Sequence, residues 1–147
     1  MDGCSPGRSY RVVQSTKSGG AADEKVRAAL ARGGIVDITT TGRKSGSPRR
    51  IEIVFHNIDG RIYISGIPSA RRRAWLRNLE TRPELMLHLK GQVKADLPAK
   101  ARIIEGEAER RLLLAPIART WRRNDVDTMV RQSPLIEVIL DQNRDAA

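Results

Sequence analysis

Apolar and polar positions change period several times along this chain, and each change marks an element. Val26, Ala29 and Leu30 recur at helical spacing within Ala21 to Arg32, and Gly33-Gly34 ends that run. From Ile35 to Thr41 the period drops to two, with Val36, Ile38 and Thr40 on one face and Ile35, Asp37 and Thr39 on the other. Ile51, Ile53 and Phe55 then alternate with Glu52, Val54 and His56. Asp59-Gly60 is a strong two-residue hairpin signal, and it leads into Arg61 to Ile67, where Ile62 and Ile64 alternate with Tyr63 and Ser65. Pro68-Ser69 predicts a helix with Ser69 as N-cap, an apolar stripe of Ala70, Ala74, Trp75 and Leu79, and a stop at Pro83. Leu85, Leu87 and Leu89 line one face of the next strand. Val93 to Leu97 and Ala99 to Ile104 read as one long strand, or two, bent at Pro98. A helical segment starts near Glu107, is interrupted at Pro116 and resumes through Asp125 to Val130, and Leu135 to Leu140 is a final strand.

Short hairpin connections favour antiparallel pairing. About six antiparallel strands in a small domain close into a barrel, which removes exposed edges. The fold class expected is therefore α+β, a small antiparallel β-barrel with flanking helices. Residues 1–20 are rich in Ser and Gly without apolar periodicity and read as a flexible tail, and residues 21–147 read as a single domain.

Composition narrows this picture. The chain has 147 residues, 39% of them hydrophobic, enough for one core without staples. Its aromatic residues are only Tyr10, Phe55, Tyr63, Trp75 and Trp121, so Ile, Leu, Val and Ala must fill the interior. Cys4 is the one cysteine, which excludes an intrachain disulfide and fits a reducing cytoplasm. No apolar run approaches the ~20 residues of a membrane span, and residues 1–20 lack the apolar core of a secretory signal. The 27 Lys and Arg against 17 Asp and Glu leave a net charge of +10, which favours an anionic partner: a phosphorylated cofactor, nucleic acid or an acidic membrane surface.

Most catalytic chemistries find no foothold. His56 and His88 are the only histidines, and neither has a carboxylate or thiol at ligand spacing, so no metal site is expected. No serine sits in a nucleophile elbow. Glu105, Glu107 and Glu109 read as carboxylates at a helix start, facing its positive end. No glycine-rich turn leads directly into a helix, so the dinucleotide fingerprint is missing. What stands out is Thr39 to Arg50, with three Thr, two Gly and four cationic side chains between two strand patterns. A Gly- and Ser-rich turn leaves backbone N–H groups facing outward, and flanking Lys and Arg match phosphate oxygens. It reads as a hairpin built to hold a phosphate, with a bound cofactor carrying the chemistry. Arg71, Arg72 and Arg73, with Arg77 one turn on, are expected on the helix after the third strand. They form either its solvated face or a second anchor for anions. Trp75 could wall a planar ring from that helix, and Trp121, among Arg119, Arg122 and Arg123, could cover a pocket.

The run Thr40-Thr41-Gly42-Arg43-Lys44-Ser45-Gly46-Ser47-Pro48-Arg49 resembles the signature of the deazaflavin-dependent nitroreductase and quinone-reductase family, which uses coenzyme F-420. Ala74-Trp75-Leu76-Arg77-Asn78-Leu79 followed by Arg82-Pro83 is similar to that family's tryptophan helix. The resemblance implies a split β-barrel like those of FMN-binding, pyridoxamine-phosphate-oxidase-like proteins. It implies hydride transfer from reduced coenzyme F-420 to a quinone-like, nitroaromatic or other electron-poor small molecule. Lys44, Ser45 and Arg49, with Arg43 and Gly46 beside them, would hold the cofactor's phosphate and acidic tail, and a basic groove near Arg43, Arg50 and Arg71 would suit that tail. Ile51, Ile53, Ile64, Ser65, Gly66, Ala74, Trp75 and Asn78 would flank the ring, and Trp121 and Met129 would lie on the substrate side. No catalytic side chain is required. The sequence departs from the family pattern at Glu52, where a proline is usual, and at Gly66, where a second lysine is usual. Two other readings stay open: a split barrel that uses FMN, and a non-catalytic barrel that binds nucleic acid or another anionic surface. Too few aromatics for base stacking argue against specific nucleic-acid binding. Peripheral membrane contact through the basic surface and a homodimer complete the expectations.

Overall fold

The computed structural model describes residues 19–141. The expected tail lies outside them, except that Gly19 and Gly20 open the first helix. The elements are α1 (Gly19–Arg32), β1 (Gly34–Thr41), β2 (Pro48–Ile58), β3 (Arg61–Ser65), α2 (Ala74–Thr81), β4 (Glu84–Lys90), β5 (Lys94–Ile103), α3 (Glu107–Thr120), α4 (Val126–Gln132) and β6 (Leu135–Leu140). The six strands form a closed barrel in the order β1-β2-β3-β6-β5-β4, with every neighbouring pair antiparallel. The α+β barrel expected from the strand pattern is the fold observed.

Period-two patterning sets the register. Val36 pairs with Ile53, Ile38 with Ile51 and Thr40 with Arg49, so these side chains share the inner face of β1 and β2. Asp59 and Gly60 both take positive φ, 54° and 83°, as the tight turn between β2 and β3 demands. The barrel interior is almost wholly aliphatic: Ile38, Ile64, Leu87 and Ile136 are completely buried. Each such side chain contributes roughly 1.5–3 kcal/mol through lost water contact. Helix α2 plugs one end by burying Trp75, Leu76 and Leu79 in this core. A second core lies outside the barrel, where α3 and α4 pack Leu114, Ile117 and Met129 against Tyr63, Ile104 and Leu135.

Three expectations are corrected. Helix α2 starts at Ala74, five residues after Ser69, and its N-cap, Arg73, is extended and makes no side-chain cap. Ser69 does not cap the helix because its hydroxyl donates to the Arg71 carbonyl (2.8 Å) and accepts from the Arg71 amide (3.2 Å), a local turn that competes with helix. Arg71, Arg72 and Arg73 therefore form an extended strap in front of α2, not a face of it. Pro116 does not interrupt α3, which runs through it to Thr120; the carbonyl it leaves without an amide belongs to Leu112, 74% exposed. Of the two readings offered around Pro98, the single strand is the one observed, with Pro98 inside a continuous β5 opposite Met86.

Candidate functional site

The β1–β2 turn, from Gly42 to Ser47, is held by its own groups. The Gly42 amide donates to the Ser47 carbonyl and the Gly46 amide to the Gly42 carbonyl, both at 2.8 Å. The Ser47 amide donates to Ser45 Oγ at 3.1 Å. Gly46 takes φ +72°, and a Cβ on Gly42 would stand 2.7 Å from Ser45 Oγ and 3.2 Å from the Ser47 carbonyl, so both glycines are required. Among the described residues, only the Lys44 and Ser45 amides of this turn lack an internal acceptor. The anion cradle is thus narrower than the composition suggests: two amides, not six.

Asn78 ties the turn to α2. Its Oδ1 accepts from the Arg43 amide (3.1 Å) and Arg43 Nη1 (3.2 Å), and its Nδ2 donates to Thr40 Oγ1 (3.1 Å). Since Asn78 is only 4% exposed, these bonds satisfy a buried amide and fix the helix against the strand.

A cavity of about 640 Å³ opens between turn and helix, within the range of small-molecule sites. Eight of the residues expected around a cofactor meet there: Arg43, Lys44, Ser45, Arg49, Ile51, Ala74, Trp75 and Asn78. Arg43, Lys44 and Arg49 have no carboxylate partner among the described residues. Trp75 serves twice, packed in the core at 8% exposure while also lining the cavity. No Asp, Glu, His or Cys lines this space. It can bind an anion next to a planar apolar group, and it holds no acid–base pair of its own.

Other expected residues fall elsewhere. Gly46 lies in the turn without lining the cavity. Ile53 points into the barrel one pair deeper than Ile51. Ile64 is completely buried in the core, and Ser65 donates its hydroxyl to the Pro134 carbonyl at 2.6 Å. Gly66 faces the Arg73 guanidinium, which would lie 3.2 Å from a Cβ placed there. Arg50 points outward to Asp37 (2.9 Å), and Arg71 lines a different cavity, so neither joins a basic groove with Arg43. Met129 is fully buried in the second core. Trp121 stacks at a tilt on His56, with ring centroids 5.2 Å apart, near the Gly34 end of β1. That end is roughly 23 Å from the turn at about 3.3 Å per strand residue. Burial lowers the pKa of His56, whose Nε2 has no partner among the described residues.

Sequence reasoning missed Thr40 and Gly42 as cavity residues, and offered Arg73 only as one of three arginines that could anchor an anion from the helix. A threonine alternating with Val36 and Ile38 on the buried face was the available signal for the first. Which of the three arginines reaches this cavity depends on where α2 begins, and the sequence did not single out Arg73. Among the described residues, no group of three or more His, Cys, Asp or Glu could hold a metal, and no helix is long and apolar enough to cross a membrane.

Comparison with known proteins bears on the family and the fold. Residues 10–141 match the model of the F-420H(2)-dependent quinone reductase family. Among solved structures, the chain is similar to a candidate 5-nitroimidazole antibiotic resistance protein from Bacteroides thetaiotaomicron, with 15% identity and a TM-score of 0.60 over 81% of this chain and 80% of that one. It is also similar to a candidate pyridoxamine 5'-phosphate oxidase from Listeria innocua (14%, 0.61, 82% and 94%) and to a FAD-binding protein from Mesorhizobium loti (11%, 0.55, 81% and 89%). At these identities the likeness is one of fold, the split barrel. No curated protein matches the sequence.

Proposed function

The chain belongs to the F-420H(2)-dependent quinone reductase family, and on that premise we propose that it reduces a quinone-like or other electron-poor small molecule with coenzyme F-420. One observation carries the reading: Arg43, Lys44 and Arg49, unpaired with carboxylates among the described residues, stand around a cavity walled by Ile51 and Trp75. Cations left facing a cavity cost stability through mutual repulsion and are kept where an anion completes them. The donor set fits the group. The guanidinium of Arg49, the Lys44 ammonium and the free Lys44 and Ser45 amides suit phosphate oxygens, and Trp75 with Ile51 and Ala74 suits a fused ring.

When bound in its reduced form, the cofactor supplies a hydride and a proton, the pair that turns a quinone into a hydroquinone. This chain's residues then bind, orient and exclude water. Arg43 is held by Asn78, so the turn cannot swing away from α2 without breaking a buried network. Ala74 leaves room beside Trp75, and the aliphatic wall of Ile51 dries one side of the ring's berth. Positioning of this kind is the whole contribution required of the protein.

A split barrel using FMN is the second reading, favoured by the FAD-binding neighbour of the same fold. Titrating the protein with coenzyme F-420 and, in parallel, with FMN separates the two. Trp75 fluorescence, which reports from the cavity wall, is expected to change saturably with coenzyme F-420, while Trp121 on the far side of the barrel stays constant. A saturable response to FMN alone reverses the choice of cofactor. No heat in calorimetry with either ligand ends the proposal.

A further inference from the structure

A second cavity, of about 740 Å³, lies on the other side of the Arg71–Arg73 strap, between it and α3 and α4. Six arginines line it: Arg71, Arg72, Arg73, Arg110, Arg111 and Arg131. Only three carboxylates do, Glu105, Glu107 and Asp127. Those carboxylates are already engaged, Glu105 by Arg72 (3.7 Å) and the other two by Arg111 (3.6 and 2.6 Å). Arg71, Arg73 and Arg131 have no carboxylate partner among the described residues.

Arg110 adds to the imbalance. Its half-buried guanidinium donates only to neutral carbonyls, those of Ile104, Met129, Val130 and Ser133. Burial first, and the nearby Arg72 charge second, hold its pKa down against a weaker opposing pull from Glu105. Ser133, 4% exposed, is among the residues lining the same cavity, and its buried hydroxyl has no hydrogen-bond partner among the described residues. A buried hydroxyl left so costs free energy unless something in the cavity accepts from it. Surplus cations and an orphan donor, converging from the strap, α3, α4 and the loop after it, describe a place for an acidic group.

Arg73 also lines the first cavity, so the two spaces share one wall. Gly66 makes that possible: a Cβ there would meet the Arg73 guanidinium at 3.2 Å and the Pro134 ring at 3.2 Å. Resting on the cofactor assignment of the first cavity, we infer that the second is the anchor for an acidic electron acceptor, a quinone-like ring bearing carboxylate, sulfonate or phosphate. The acidic group sits among Arg71, Arg73, Arg131 and Ser133, and the ring reaches past Arg73 toward the cofactor.

The test uses anthraquinone-2,6-disulfonate as acidic probe and menadione as neutral one, on the wild type and on an Arg71→Ala/Arg131→Ala double variant. Calorimetry on the cofactor-free protein reads the anion site without any activity. About a tenfold weakening of disulfonate binding is expected in the variant, the scale of lost charge-assisted hydrogen bonds. With reduced coenzyme F-420 present, the KM for the disulfonate rises by a similar factor and that for menadione does not. A control variant, Arg27→Ala/Arg61→Ala, removes the same charge elsewhere; an equal loss there makes the attraction nonspecific and overturns the site. Unchanged disulfonate binding in the double variant overturns it as well. Loss of coenzyme F-420 affinity in the double variant gives the cavity to the cofactor, not the acceptor. If instead the wild type binds the disulfonate but no coenzyme F-420, the cofactor reading fails and the anion site stands.

Discussion

Arg49 and Arg50 are neighbours on β2 with opposite surroundings. The pleat turns Arg49 inward beside Thr40, into the cavity, where no carboxylate meets it. It turns Arg50 outward onto Asp37, which also receives Lys90 at 2.7 Å, while Lys90 reaches Glu52 as well. The contrast extends through the molecule. Arg102 pairs with Glu109 and Glu137, Arg111 with Glu107 and Asp127, and Arg123 with Asp125. Cations occur both at the cavity and on the outer surface, but only the outer ones named here are compensated by carboxylates. In a chain of net charge +10, the informative cations are those that folding leaves without a counter-charge at a concave surface.

Charge substitutions at the turn should break that contrast most sharply. Lys44→Ala and Arg49→Ala are each expected to weaken coenzyme F-420 binding by roughly 1–3 kcal/mol, the worth of a hydrogen bond to a charged group. Arg49→Glu should exceed either, since it adds repulsion to the loss. Calorimetric titration checks all three, with circular dichroism to confirm the fold. Equal losses in Arg50→Ala would show that the general field, not the inward face, attracts the ligand.

A smaller effect, on stability instead of binding, is expected on the compensated side. Glu137 is 9% exposed and accepts from Arg102 Nε at 3.0 Å, while Glu109 takes the other end of the guanidinium at 2.6 Å. These carboxylates, Glu109 foremost, hold the Arg102 pKa above its ordinary value. Arg102→Leu leaves a buried carboxylate without its partner and should cost roughly 1–3 kcal/mol in urea unfolding, toward the lower end because the Arg102 side chain is 40% exposed. Arg102→Leu/Glu137→Leu should recover most of that, since the carboxylate then left without Arg102 is Glu109, 42% exposed and hydrated, and no buried charge stands unpaired. Cofactor affinity should be the same in all of these proteins.

The strands and the turn were legible in the sequence because both depend on local rules. Alternation of Val36, Ile38 and Thr40 against Ile35 and Thr39 fixes a buried face, and Asp59-Gly60 admits few conformations besides a tight hairpin. The cluster of Arg43, Lys44, Ser45 and Arg49 could be found for the same reason. What was not legible depends on long-range competition. Ser69 followed by a run of arginines has the composition of a capped helix, yet the chain must first travel from the end of β3 to the barrel mouth, and the strap does so. That path puts Arg73 between two cavities and Arg71 in the second, positions that no periodicity encodes. Trp121 and Met129 were expected near the substrate, but α3 and α4 pack on the outside of the barrel, away from the turn, and carry both to the second core. Both misplacements come from the same source: helices without strand neighbours in the hydrogen-bonding sense are positioned by packing alone.

The smallest effect sharpens the comparison at the residue next to the site. Lys90 first, and Arg50 second, hold the Asp37 carboxyl below its ordinary pKa of 3.8. Because the folded value is the lower one, the pair's contribution is fully present above the unfolded value and is lost as the pH falls from there through the folded value. Lys90→Ala and Arg50→Ala should each move the Asp37 titration back toward 3.8, Lys90→Ala by more, read by carboxyl carbon NMR between pH 2 and 6. Both partners lie at the surface, with 35% and 54% side-chain exposure, so solvent screens the pair and stability at neutral pH should barely move. Coenzyme F-420 affinity in Arg50→Ala should stay at the wild-type value. If the Asp37 titration shifts while affinity holds, then two adjacent arginines of equal charge differ only in which face of β2 they occupy, and the pleat alone has sorted one to structure and the other to binding.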